Sequence, residues 1–179
     1  HLWSETYDRR LADIFAVPDE IAAEVVSALR LTLLNDAPSA AITSPEVYSL
    51  YLQAMYEGNQ YTTEGLINAE RLIEEAIALD SGYAPAWLEL ASTLMNQVAQ
   101  RSREPELAYR KAREAAQRAL ELDPGNTAGY VSLAWIAMKY DLEFHEAAEY
   151  LGKARSMYPN NDDVTNGIAT LQGDLGHND

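Results

Sequence analysis

ALELDPGNTAGYVSLA, residues 119–134, says again what AIALDSGYAPAWLELA, residues 76–91, has already said. The two align without a gap at an offset of 43: Ala76 with Ala119, Leu79 with Leu122, Asp80 with Asp123, Trp87 with Tyr130, Leu90 with Leu133, Ala91 with Ala134. A further offset of 35 brings in Ala154, Pro159, Thr165, Ile168 and Ala169. Seven residues before each of Ala76, Ala119 and Ala154 stand Ala69, Ala112 and Ala147, with Ile73, Ala116 and Leu151 between them. One register holds across all these columns, so the chain is a tandem repeat.

The periodicity within each copy is helical. In AERLIEEAIAL (69–79), Ala69, Leu72, Ile73, Ala76 and Leu79 fall on one stripe, and in WLELASTLM (87–95) Trp87, Leu90, Ala91 and Leu94 do the same. Asp80, Asp123 and Pro159 fall between stripes, where turns belong. Pro45 and Pro85 suit first-turn helix positions, whose N–H has no helical partner. The recurrent alanines mark helix crossings, where a small side chain lets two backbones approach. The spacing predicts helices near 18–34, 45–57, 63–79, 84–98, 105–121, 127–139, 143–157 and 162–175.

A helix pair of about 34 residues in tandem resembles the tetratricopeptide repeat, with its W-x2-L-G-x2-Y, A-x3-F and P columns. The matching residues are Trp87, Leu90, Ala91, Leu94, Ala112, Ala116, Ala119 and Pro124. The next copy supplies Tyr130, Leu133, Ala134, Ala137, Ala147, Leu151, Ala154 and Pro159, and a half-copy follows with Thr165, Ile168 and Ala169. A weaker copy precedes them: Tyr48, Tyr51, Leu52 and Met55, then Ala69, Ile73 and Ala76. Its small-residue slot falls on Leu52, with Ala54 competing. The spacing of 43 exceeds the family's by nine, and the excess lies between Leu94 and Ala112, as longer helices or an inserted loop. The resemblance implies an all-α, right-handed superhelical stack, with repeats at 45–83, 84–126, 127–161 and 162–179 and an extra helix at the N-terminus.

The first 44 residues are of another kind. Leu2-Trp3-Ser4, Tyr7-Asp8-Arg9, Asp13-Ile14-Phe15-Ala16-Val17 and Asp19-Glu20-Ile21-Ala22 resemble the end of a TolB-like amino-terminal domain, with Pro18 where that family more often has Gln. Such domains precede tetratricopeptide repeats in bacterial regulators whose other modules are a nucleotide cyclase or a winged helix. The motifs of neither module occur here. The opening His1-Leu2-Trp3 reads as the interior of a longer protein. The helix at 18–34 carries Ile21, Ala22, Val25, Val26, Leu29 and Leu33 on one stripe and is expected to cap the first hairpin.

Composition narrows the function. The net charge of −15 argues against a nucleic-acid surface. Arg101, Arg103, Arg110, Lys111, Arg113 and Arg118 cluster, but Glu104, Glu106 and Glu114 lie among them, as on a solvated helix face with pairs such as Arg110–Glu114. No apolar run reaches the roughly 20 residues of a membrane helix; Ile21 to Leu34 is broken by Glu24, Ser27, Arg30 and Thr32. There is no Cys, hence no disulfide and no thiolate site. The cytoplasm is favoured over the periplasm, though composition alone does not fix the compartment.

No catalytic motif is present. HEAAE (145–149) lacks the second His of a zinc motif, and His145 stands at a helix start. NNDDVTNG (160–167) lacks calcium-loop spacing and suits a turn and helix N-cap. The expectation is no catalytic residue, no cofactor and no metal.

Function is therefore sought on the surface that the repeats create. The first helix of each pair lines the concave side. The groove residues are expected to be Gln53, Tyr56, Leu88, Ser92, Met95, Asn96, Val131, Trp135, Met138, Lys139, Asn166 and Thr170. Apolar anchors mixed with amides and hydroxyls suit a bound peptide or helix. The chaperone-tail type of groove, with Lys, Arg and Asn converging on a carboxylate, is not matched, because Lys139 stands nearly alone. The expected role is a protein-binding module of a larger bacterial regulator. The alternative is a spacer or homodimerisation element whose groove is filled by its own or a twin chain.

Overall fold

The structure, a computed structural model, describes residues 43–176. The TolB-like resemblance and the helix expected at 18–34 lie outside the described residues.

Seven α-helices follow one another: α1 Pro45–Gly58, α2 Thr63–Leu79, α3 Ala84–Ala99, α4 Pro105–Leu122, α5 Thr127–Ile136, α6 Phe144–Met157 and α7 Asp162–Asp174. The described residues contain no strand. The starts are written in the sequence. Ser44, Thr62, Glu104, Asn126 and Asn161 each accept a hydrogen bond from an N–H of the first turn, which has no helical partner. Pro45, Pro85 and Pro105 stand in first turns, where a missing N–H costs nothing. Gly65 is required by space: a Cβ there would stand 2.5 Å from the Glu57 carbonyl oxygen.

The helices pair as antiparallel hairpins, α1 with α2, α3 with α4 and α5 with α6, and each hairpin stacks on the next. Ala69, Ala76, Ala91, Ala112, Ala119, Ala134, Ala147 and Ala154 are all fully buried at these crossings. Around them pack Leu72, Ile73, Leu90, Leu94, Leu133 and Ile136. The repeated phrase also carries a hydrogen bond. Trp87 Nε1 donates to the Ser81 carbonyl at 2.9 Å, and 43 residues on the Tyr130 hydroxyl donates to the Pro124 carbonyl at 3.3 Å. The same aromatic column thus ties α3 and α5 back onto the turns before them. Thr165, in that column of the next copy, bonds the Asn161 carbonyl instead.

In the first copy the small-residue slot belongs to Ala54, which is fully buried, while Leu52 is 46% exposed. Measured from Ala54, the first copy stands 37 residues before the second, not 39. The nine-residue excess of the second copy is shared between longer helices and a longer connection: α3 and α4 run 16 and 18 residues, with Gln100–Glu104 between them. A polar lock holds this extension. Gln97, buried, donates through Nε2 to the Leu66 carbonyl at 3.1 Å and to Glu70 Oε2 at 2.9 Å. Arg103 Nη1 donates to Glu70 Oε2 at 2.5 Å and to Gln97 Oε1 at 2.7 Å.

The third hairpin departs from the expected α-helix over 127–139. α5 ends at Ile136 and continues as a π-turn, Ala137–Asp141. Leu142 closes it in the left-handed region (φ 60°), and its N–H and that of Glu143 both reach the Ala137 carbonyl. Arg113 of α4 pairs with Asp141 and clamps this turn to the second hairpin. Three of the six basic residues of the cluster have partners: Arg103 with Glu70, Arg113 with Asp141, Arg118 with Glu121. Arg110–Glu114 is not among the ion pairs of the described residues.

Candidate binding groove

Helices α1, α3, α5 and α7 are the first members of their pairs and adjoin one another along the inner face. They border an open cavity of about 870 Å³. Of the residues expected there, Leu88, Ser92, Met95, Asn96, Val131, Trp135 and Lys139 line it. All come from α3, α5 and the π-turn.

Five do not. Gln53 and Tyr56 had been placed from the 39-residue offset. With Ala54 in the small-residue slot the column of Leu88 passes to Tyr51, which does line the cavity. Gln53 is exposed and hydrogen-bonds Ser49, and Tyr56 is 70% exposed. Met138 is 1% exposed, in a core cluster with Ala134, Ala147, Leu151 and Leu171. The π-turn accounts for it: with i→i+5 bonding each residue turns through a smaller angle, so Met138 rotates off the groove stripe into the core while Lys139 stays on it. Asn166 and Thr170 lie on α7 beyond the cavity; Thr170 Oγ1 donates to the Asn166 carbonyl. The contribution of α7 is Asp163.

Sequence reasoning also missed Tyr61, Pro85, Glu89, Ala99, Tyr109, Asn126, Ala128 and Ser132, which complete the lining. Glu89 had a readable signal, since Pro85, Glu89, Ser92 and Asn96 follow one helical stripe. Tyr109 had none, because it belongs to a second helix, whereas the groove was sought on the first helices. It stacks on Tyr140 at 4.8 Å between ring centroids.

The electrostatics are uneven. Lys139 Nζ lies 2.7 Å from Asp174 Oδ2 and 5.8 Å from the centre of the Trp135 ring. Glu89 has no ion-pair partner among the described residues. Burial pushes its carboxyl up, opposed by the neighbouring Thr93 hydroxyl. Burial, then the charge of Glu89, pushes the Tyr51 hydroxyl up in turn. Asymmetric acid–base pairs and a nucleophile beside a base are absent from the described lining. No three described His, Asp or Glu residues are grouped to hold a metal, and no described helix is long and apolar enough to cross a membrane.

No family model matches the chain. A Rhizobium meliloti (strain 1021) protein named "Putative adenylate cyclase 3" is 30% identical over 152 residues, 82% of this chain. The chain spans only 26% of that relative's length. Among solved structures, the Arabidopsis OM64 TPR domain superposes with a TM-score of 0.58 at 17% identity, covering 72% of this chain and 95% of that one. The second TPR domain of human RPAP3, solved in complex with the HSP70 peptide SGPTIEEVD, gives 0.54 at 15% identity, covering 70% and 98%. The fold is the all-α, right-handed superhelical stack of tetratricopeptide repeats.

Proposed function

We infer that this chain is a non-catalytic protein-binding module that holds a peptide or helical segment in its concave groove. The observation that carries this reading is the cavity itself. It is open, bordered by four successive first helices, and lined by Leu88, Met95, Val131 and Trp135 beside Ser92 and Asn96. Apolar anchors with a few orienting polar groups suit a peptide, and nothing in the lining is arranged for bond making. The RPAP3 neighbour, solved with a peptide, supports the same use of this fold. The relative named as a cyclase, of which the chain spans about a quarter, supports a regulatory or scaffolding role inside a larger bacterial signalling or transcription-regulating protein. The TolB-like resemblance of the first residues points the same way.

The test is selection from displayed random 16-residue peptides on the whole chain, followed by binding to a Ser92→Phe, Ala128→Phe variant that fills the groove without changing charge. Selected peptides should bind the filled variant at least about tenfold more weakly. Failure to select any peptide, or equal binding to both proteins, would sink the reading. Light scattering across a concentration series decides the alternative: growth in mass that the same two substitutions abolish would mean a twin chain fills the groove.

A further inference from the structure

Building on the groove reading, we propose that the occupant is a cationic segment, with an arginine or lysine side chain set among apolar anchors and directed at Glu89.

Charge complementarity decides the class of partner. The charged side chains in the lining are Glu89, Asp163 and Lys139. Lys139 is held by Asp174 at 2.7 Å, so the one described cation of the cavity is already balanced. Glu89 and Asp163 have no ion-pair partner among the described residues, and the chain as a whole carries −15. An acidic segment would meet two unbalanced carboxylates and no free cation. A basic one would meet the opposite, and long-range attraction would speed its arrival.

Local geometry places the contact at Glu89. It sits midway along α3 beside α1, partly buried, with Oε1 close to Gly58; a Cβ on that glycine would stand 3.4 Å away. Gly58, buried at the end of α1, thus marks where the carboxylate comes up against the first helix. An ionised carboxylate withdrawn from water without a partner is costly, and a cation arriving from the groove offsets that cost. Tyr51 and Tyr61 line the same end, and a guanidinium stacks on such rings while its N–H groups reach a carboxylate. Leu88, Met95, Val131 and Trp135 extend from there as the apolar track for the rest of the segment.

The selection described above tests this on the whole chain, with displayed random 16-residue peptides as the probe. Arginine or lysine should be enriched at one position of the selected pool. The leading synthetic peptide should lose about tenfold or more when that residue becomes glutamine, and the same loss should follow Glu89→Gln in the protein. The two losses should not add, since each removes the same pair. Ser92→Asp, one turn along the groove, should strengthen the unaltered peptide several-fold; it keeps the test informative even if Glu89→Gln disturbs folding. Selected peptides with an acidic or uncharged motif would overturn the proposal and leave the groove reading standing, as would an arginine peptide indifferent to both substitutions. If no peptide is selected, both fall.

Discussion

Met95 and Met138 stand 43 residues apart in one column of the repeat, and they do different things. Met95 lines the groove, whereas Met138 is sealed in the core against Leu151 and Leu171. Their hairpins share the same crossing alanines and the same aromatic tie to the preceding turn. They part where the repeat columns stop. The second hairpin extends as regular α-helix and locks its added turns with Gln97, Glu70 and Arg103. The third unwinds into a π-turn held by Leu142 and by Arg113–Asp141. Repetition thus sets where helices cross, and the residues outside the repeat set which side chains reach the groove.

The largest test separates the two methionines. Met138→Ala should cost about 2–5 kcal/mol, the range for truncating a buried side chain that leaves a cavity. Met95→Ala should cost less than about 1 kcal/mol, because that side chain is partly exposed at the groove. Urea unfolding checks both, and equal costs would break the distinction between an α-helical and a π-wound end.

A second test uses the small-residue column. Ala134→Leu should cost about 1–3 kcal/mol by overpacking the crossing of α5 and α6. Ala169, 35 residues later, is exposed, because α7 has no second helix against it within the described residues. Ala169→Leu should stay within about 0.5 kcal/mol of the parent. A large cost there would mean that α7 meets a further partner.

The smallest effect concerns the lock of the second hairpin. Burial alone would raise the Glu70 carboxyl, but hydrogen bonds from Arg103 and Gln97 and the charges of Arg103 and Lys111 outweigh it and hold it below the ordinary 4.5. A depressed folded value contributes stability above the ordinary value, and that contribution is lost as the pH falls through the depressed one. Arg103→Met should therefore cost about 1–2 kcal/mol at neutral pH. The difference from the parent should shrink as the pH falls below the ordinary carboxylate range and Glu70 takes up a proton. A cost that does not change with pH would show that Arg103 contributes by packing alone.

Most helix limits were legible because caps and prolines announce them. α2 falls on the expected 63–79, and α1, α3 and α4 differ by one residue at their ends. The fully buried alanines were legible for a related reason: burial at a crossing repeats with the period of the chain. The first copy is misregistered by two residues because Tyr48, Tyr51 and Met55 fit the aromatic and apolar columns around Leu52, although Ala54 is the residue small enough for the slot. Only packing distinguishes them, since Leu52 in that slot would hold α1 away from α2.

The cavity lining was legible along α3 and most of α5, where each residue advances by the regular helical angle, so sequence position gives direction. It failed at Met138, where a π-turn changes that angle, and at Gln53 and Tyr56, which inherited the wrong offset. Tyr109 and Asp163 reach the cavity from helices far apart in the chain, and Glu89 lacks an ion-pair partner only because of what surrounds it in space. The sequence by itself determined the repeat, the hairpins and the alanine crossings, because these depend on spacing along one chain. The tertiary structure alone decided which side chains face the groove and which charges there remain unbalanced, because both depend on distances between helices that spacing does not encode.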